Sequence, residues 1–243
     1  METISAAMIV RMWERGALLP PVARALSLLD TDHGSQAVEN LTALSIGERD
    51  GRLLALREAL FGPSLKSVAE CPHCGIVVEF ALDATELQEP DRQEEVLSLS
   101  LAVREFSLRF RLLDSADLTA VAGCADVQAA RRQLAERCIL EAKQRDVRME
   151  VGDLPEAVVP ELSGRLARAD RQADIALDLC CPECAGSWSA TFDIASFLWA
   201  EISVRAKQLL GDVHALAWAY GWSEADILEM SDARRQFYLG MVQ

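Results

Sequence analysis

Cys71-Pro72-His73-Cys74-Gly75-Ile76-Val77-Val78-Glu79-Phe80-Ala81-Leu82-Asp83 and Cys181-Pro182-Glu183-Cys184-Ala185-Gly186-Ser187-Trp188-Ser189-Ala190-Thr191-Phe192-Asp193 are two copies of one pattern. Each opens with Cys-Pro-x-Cys, places apolar residues four, six and eight positions after its second cysteine, and has aspartate at the ninth. Alternation with a period of two belongs to a half-buried strand, so each copy reads as a Cys-x-x-Cys turn within a β-hairpin. Two residues between cysteines let both thiolates face one ion. A second such knuckle completes a tetrahedron of sulfur at about 2.3 Å around zinc. Cys71, Cys74, Cys181 and Cys184 are therefore expected to hold structural zinc, in a shell with no open position for a substrate water.

The copies are far apart, with 106 residues from Gly75 to Cys180 between Cys74 and Cys181. Loop closure costs grow only logarithmically with length, so an insertion of this size is tolerable when it carries its own structure. The competing chemistry is redox: Cys71-Pro-His-Cys74 would suit a thiol–disulfide oxidoreductase if a helix followed to stabilise the thiolate. Here Gly75 and an alternating strand follow, and a single dithiol site has no use for the second copy.

Seven cysteines, an odd number, fit a reducing compartment better than a disulfide framework. Cys180 precedes Cys181 in a strand and so points to the opposite face, away from the ion. Cys124 and Cys138 lie in helical sequence and are expected to be small buried hydrophobes. Of the three histidines, His73 is expected exposed between two ligands, His33 falls in a turn, and His214 lies on a long helix without a metal partner at i+4. No nucleophile elbow, zinc-protease, P-loop or dinucleotide-binding motif is present, so no catalytic residue can be named.

Working outward, Ile4 to Asp30 reads as helix, break at Pro20-Pro21, helix, and Thr31 to Ser35 as a turn. A further helix runs from about Leu44 until Gly62-Pro63 stops it. Asp83 to Glu95 is an acidic connector. Leu97 to Leu101 and Phe106 to Leu112 alternate as strands. Helices are expected from about Ser115 to Gln144, broken near Gly123, and from Pro155 to about Ala173. Ile175 to Leu179 reads as a strand. From Asp193 one long apolar stripe runs to Gly221, after which Ser223 and Ser231 look like caps of two short helices.

The fold class expected is α+β, mostly helical, with the two CPxC hairpins joined as a discontinuous zinc ribbon. Its divisions are an N-terminal helical region (1–64), the first zinc-knuckle hairpin and strands (65–114), a helical insert (115–173), the second zinc-knuckle hairpin (174–193) and a C-terminal helical region (194–243). A net charge of −14 disfavours binding to nucleic-acid phosphates or anionic lipid. With no leader-like N-terminus and no apolar run of spanning length, the protein is expected in the cytoplasm.

Several stretches, in this order along the chain, carry a family resemblance. They are Leu44-Ser-Ile-Gly-Glu-Arg-Asp50 with Leu53-Leu-Ala-Leu-Arg-Glu58 and Phe61-Gly62; both cysteine knuckles; Phe110-Arg-Leu112 leading to Ala116-Asp-Leu118; and Phe192-Asp193 through Phe197-Leu-Trp199. The ending adds His214, Leu216-Ala217, Tyr220-Gly-Trp-Ser-Glu224, Ile227-Leu228, Arg234-Arg235 and Tyr238-Leu239. In these the chain resembles the phage baseplate hub assembly chaperone family, including relatives encoded beside contractile injection systems. The resemblance implies a non-enzymatic assembly factor that binds a baseplate or hub protein of a phage tail or contractile particle. A permanent baseplate subunit is the alternative. The resemblance does not itself imply zinc.

The last twenty or so residues hold more apolar bulk than a tail normally keeps. Tyr220, Trp222, Ile227, Phe237 and Tyr238 are the candidate partner-binding residues, against the plainer reading that they fold back on the long helix. Two close helices around Gly221-Trp222-Ser223 also suggest a helix-turn-helix. Arg234 and Arg235 are too little positive charge for one on this chain.

Overall fold

A computed structural model describes residues 5–30, 35–88 and 98–242. Of the expected turn from Thr31 to Ser35, residues 31–34, with His33, lie outside the described residues and Ser35 begins a helix; most of the acidic connector to Glu95 and the start of the strand at Leu97 also lie outside. Four helices open the chain: α1 (Ala6–Gly16), α2 (Pro21–Leu29), α3 (Ser35–Thr42) and α4 (Ile46–Phe61). Pro21 at the first turn of α2 needs no amide donor there. A capping box starts α4: the Ser45 hydroxyl accepts from Glu48 N–H, and Glu48 returns a carboxylate to Ser45 N–H.

The first hairpin pairs β1 (Ser64–Glu70) with β2 (Val77–Asp83), and the second pairs β7 (Ile175–Cys180) with β8 (Ser187–Phe192), both antiparallel. Between them β3 (Leu99–Val103), β4 (Phe106–Phe110), β5 (Ile139–Gln144) and β6 (Val147–Met149) form one antiparallel sheet in sequence order. The helices α5 (Ser115–Val121), α6 (Val127–Cys138) and α7 (Val158–Ala169) belong to the same stretch. A 27-residue α8 (Ile194–Tyr220) ends at Gly221 in left-handed backbone, φ +70. Then α9 (Glu224–Glu229) and α10 (Asp232–Leu239) start on Ser223 and Ser231, whose hydroxyls accept from Asp226 N–H and Arg234 N–H. The architecture is mixed α+β and mostly helical. No helix among the described residues is long and apolar enough to cross a membrane.

One expectation is corrected here. The helix predicted as far as Gln144 stops at Cys138, and Ile139–Gln144 is a strand paired to β4. Leu140, Glu141, Ala142 and Lys143 are good helix formers, but burying Ile139 and Ala142 against Phe110 and Leu108 outweighs their propensity. Likewise α7 begins only at Val158, three residues after Pro155.

Two cores result. Ile9, Val10 and Met12 of α1, Ala25 and Leu28 of α2, Leu53 and Leu54 of α4 and five residues of α8 from Ile194 to Leu209 make the helical core. Phe106, Leu108, Phe110, Ala135, Cys138, Ile139, Ala142, Val158 and Leu162 make the second, where α6 and α7 cover one sheet face. The long insertion therefore does carry its own hydrophobic core, the condition that makes its loop-closure cost bearable. Polar ties join distant segments. Arg57, 2% exposed, makes a bidentate pair with Glu201 of α8 at 2.8 Å and donates to Gly62 O. Asp170, past α7, accepts from Gly47 N–H at 3.0 Å at the start of α4, where a side chain in place of Gly47 would collide with it.

Candidate metal site

Each knuckle is the turn of its hairpin, built from the same bonds. Cys71 N–H donates to Ile76 O and Gly75 N–H to Cys71 O (2.8 and 2.9 Å); Cys181 N–H donates to Gly186 O and Ala185 N–H to Cys181 O (2.9 and 3.0 Å). The turn needs left-handed backbone one residue past the second cysteine. Gly75 provides it at φ +74, and Ala185 is forced into it at φ +54. The aspartates nine positions past each second cysteine also act alike. Asp83 accepts from Thr85 N–H to start a 3-10 turn, and Asp193 accepts from Ser196 N–H to start α8.

All four sulfurs of Cys71, Cys74, Cys181 and Cys184 lie within 4.8 Å of one another. Cys71 Sγ is 3.7 Å from Cys184 Sγ, and Cys74 Sγ is 3.6 Å from Cys181 Sγ. The first cysteine of each knuckle thus meets the second of the other, as a local twofold axis requires. A tetrahedron with metal–sulfur bonds of about 2.3 Å has edges of about 3.8 Å, so the cross-knuckle distances fit a tetrathiolate ion. In both knuckles the first cysteine is buried (1% exposed) and the second exposed. As free thiols the four compete for charge. The Ile76 amide lowers Cys74, yet burial and the neighbouring sulfurs win and push it up to about 12. Amides of Cys184 and Glu183 draw Cys181 down to about 7. A divalent cation would remove this conflict by ionising all four.

His73 is exposed as expected, and its ring leans across the second knuckle, with Nε2 3.3 Å from Ser187 O. A side chain at Gly186 would come within 2.5 Å of that ring, so the glycine is what lets the knuckles approach. Cys180 stands outside the sulfur cluster on the exposed strand face. Cys138 is fully buried and its thiol is pushed up to about 11 by burial. The expectation for Cys124 is corrected: it is exposed beyond the end of α5 and donates to Gln133 Oε1. It sits in the link 122–126 between α5 and α6, every residue of which is exposed, so the core that buries Ala135 and Cys138 does not reach it.

At the C-terminal corner Tyr220 stacks on Trp222 with centroids 4.5 Å apart, and Tyr238 meets Trp222 edge-on at 4.8 Å. Phe237 is 62% exposed and Tyr220 38% exposed, whereas Ile227 is fully buried and offers no surface to a partner. Trp218, which sequence reading did not single out, is 87% exposed on α8. It lies two residues past buried Leu216, about 200° round the helix from the apolar stripe, so the helical period carries the signal of its exposure. Arg235 is fully buried, pairing with Asp212 of α8 at 3.1 Å and with Asp232. It clamps α10 to α8 and is not available as a surface charge.

Fold and site together define a mostly helical α+β protein clasped by a four-cysteine double knuckle between two hairpins. The chain belongs to the T4 bacteriophage base plate protein family, whose model matches residues 30–199. Neither a curated protein nor a solved structure matches it significantly.

Proposed function

We propose that this chain is a non-enzymatic assembly factor for the baseplate or hub of a phage tail or contractile injection system. The observation that carries the reading is family membership across residues 30–199. The cluster of Cys71, Cys74, Cys181 and Cys184 supports structural zinc as its cofactor: four thiolates fill the coordination shell, so the ion would serve as a cross-link. Tyr220, Trp222, Phe237 and Tyr238 are the proposed client-facing residues, since their rings form one partly exposed aromatic corner, whereas Ile227 is buried. The client is a baseplate or hub component whose interface is held until its permanent partner arrives.

Deleting the gene and counting functional particles tests this reading, together with mass spectrometry of particles from the wild type. Loss of particles with the protein scarce in finished ones is expected. Stoichiometric copies in finished particles would instead make it a permanent subunit, and normal yield after deletion would refute both.

A further inference from the structure

The sheet of the insert is covered on one face only. Phe106, Leu108 and Phe110 turn toward α6 and α7, while Ser100, Ala102, Ser107 and Arg109 are exposed on the other face. An antiparallel sheet can leave one face in water, so openness alone says little. The charges say more. This face and its two hairpin tips carry Arg104, Arg109, Lys143, Arg145 and Arg148 against Glu105, Glu141 and Asp146, a net positive patch on a chain of net charge −14.

Its arrangement is locally unfavourable in two ways. Lys143 and Arg148 lie directly opposite each other on β5 and β6, where like charges destabilise a sheet. Arg104 (φ +53) and Arg145 (φ +48) occupy left-handed turn positions that Gly or Asn fill more cheaply. Internal pairing relieves only part of this. Glu141 is shared by Arg109 at 3.7 Å and Lys143 at 3.2 Å, and Arg145 pairs with Glu105 at 2.6 Å. Arg104 has no ion pair within 4 Å among the described residues, and Arg148 reaches Glu141 only through its longer-range field. Such rule-breaking at the surface points to a use outside the fold.

We propose that this sheet face is a second docking surface, taking a carboxylate-bearing protein surface of the assembling baseplate. The inference rests on the assembly reading above and adds the chemistry of one partner. Ser100 and Ala102 on edge strand β3 and Ser107 on β4 are small residues that permit close approach, and Arg109, Lys143 and Arg148 beside them suit carboxylates. Nucleic acid is the poorer fit: three carboxylates interleave with the cations, and among the described residues no aromatic ring on the face offers a base a stacking platform.

The test measures binding of each purified baseplate protein encoded beside this chain, at low and at high salt. It compares the wild type with R109E/K143E/R148E and with R11E/R52E/K207E, which makes the same charge change at exposed positions elsewhere. The sheet variant is expected to weaken binding of one partner about tenfold or more, the control by less than about twofold, and salt to weaken the wild type. R109Q/K143Q/R148Q replaces the reversal variant if that chain does not fold. Equal binding by the sheet variant and the control overturns the sheet proposal alone. Failure of the wild type to bind any of these proteins overturns the assembly reading as well. Binding of a short DNA duplex, or self-association, that the sheet substitutions abolish overturns the proposal in favour of that occupant.

Discussion

Ala185→Gly and Gly75→Ala are opposite perturbations of one backbone position, seen twice in this molecule. An L-residue in left-handed backbone costs about 1–2 kcal/mol. Glycine escapes that cost but loses about 0.5–1 kcal/mol more in chain entropy on folding. The difference predicts that Ala185→Gly, at φ +54, stabilises the protein by about 0.5–1 kcal/mol, and that Gly75→Ala, at φ +74, destabilises it by a similar amount. Sterics do not confuse the second case, because the nearest atom to a new methyl group at 75 is Glu70 Oε1 at an ordinary 3.9 Å. For a chain of this size 1 kcal/mol moves the thermal midpoint by about 2–4 °C. Thermal unfolding of the zinc-loaded protein reads the effect directly, and competition with a chromophoric chelator should show zinc held tighter in Ala185→Gly and more weakly in Gly75→Ala. A lowered midpoint for Ala185→Gly, or shifts of the same sign in both variants, would refute the equivalence of the two knuckles.

Four further outcomes are expected. The protein as purified should carry about one zinc per chain, and Cys181→Ser should lose it, as metal analysis would show; undiminished stoichiometry in the variant refutes the ligand set. Chelation should raise hydrogen exchange around Phe80 and Trp188 in the two hairpins while Phe110, fully buried in the separate core of the insert, stays protected; loss at Phe110 at the same chelator dose would mean the two cores unfold together. Burial alone would raise the Asp117 carboxyl, but hydrogen bonds from Arg111, the Asp114 amide and Arg137 outweigh it and hold its pKa below the usual carboxylate range. Its stabilisation is therefore complete above the unfolded value near 4 and lost as pH falls through the folded one. Asp117→Ala should cost about 2–3 kcal/mol at neutral pH and less in acid, read from urea titrations across that range. Phe237→Ala, at a 62% exposed site, should change stability by under about 0.5 kcal/mol yet weaken client capture in a pull-down with the baseplate proteins; capture at wild-type strength removes Phe237 from the proposed surface.

The sequence by itself determined what is written in local pattern. The repeated Cys-Pro-x-Cys with its alternating strand and terminal aspartate specified both knuckles and even the caps that follow them, because turn bonds, strand period and N-capping all act within about a dozen residues. The same holds for the capping box at Ser45, the stop at Gly62 and the left-handed end of α8 at Gly221. Tertiary structure decided what depends on partners distant in the chain. Ile139–Gln144 has helical propensity and becomes a strand only because β4 offers it a ladder and α6 and α7 a core. Cys138 is buried and Cys124 exposed although both read as helical, since burial is set by which elements arrive from elsewhere. Arg57 and Glu201, 144 positions apart, carry no sequence signal of their pairing. The positive sheet face is likewise invisible in the chain, where Arg104, Arg109, Lys143 and Arg148 are scattered among acids, and appears only once register places Lys143 opposite Arg148.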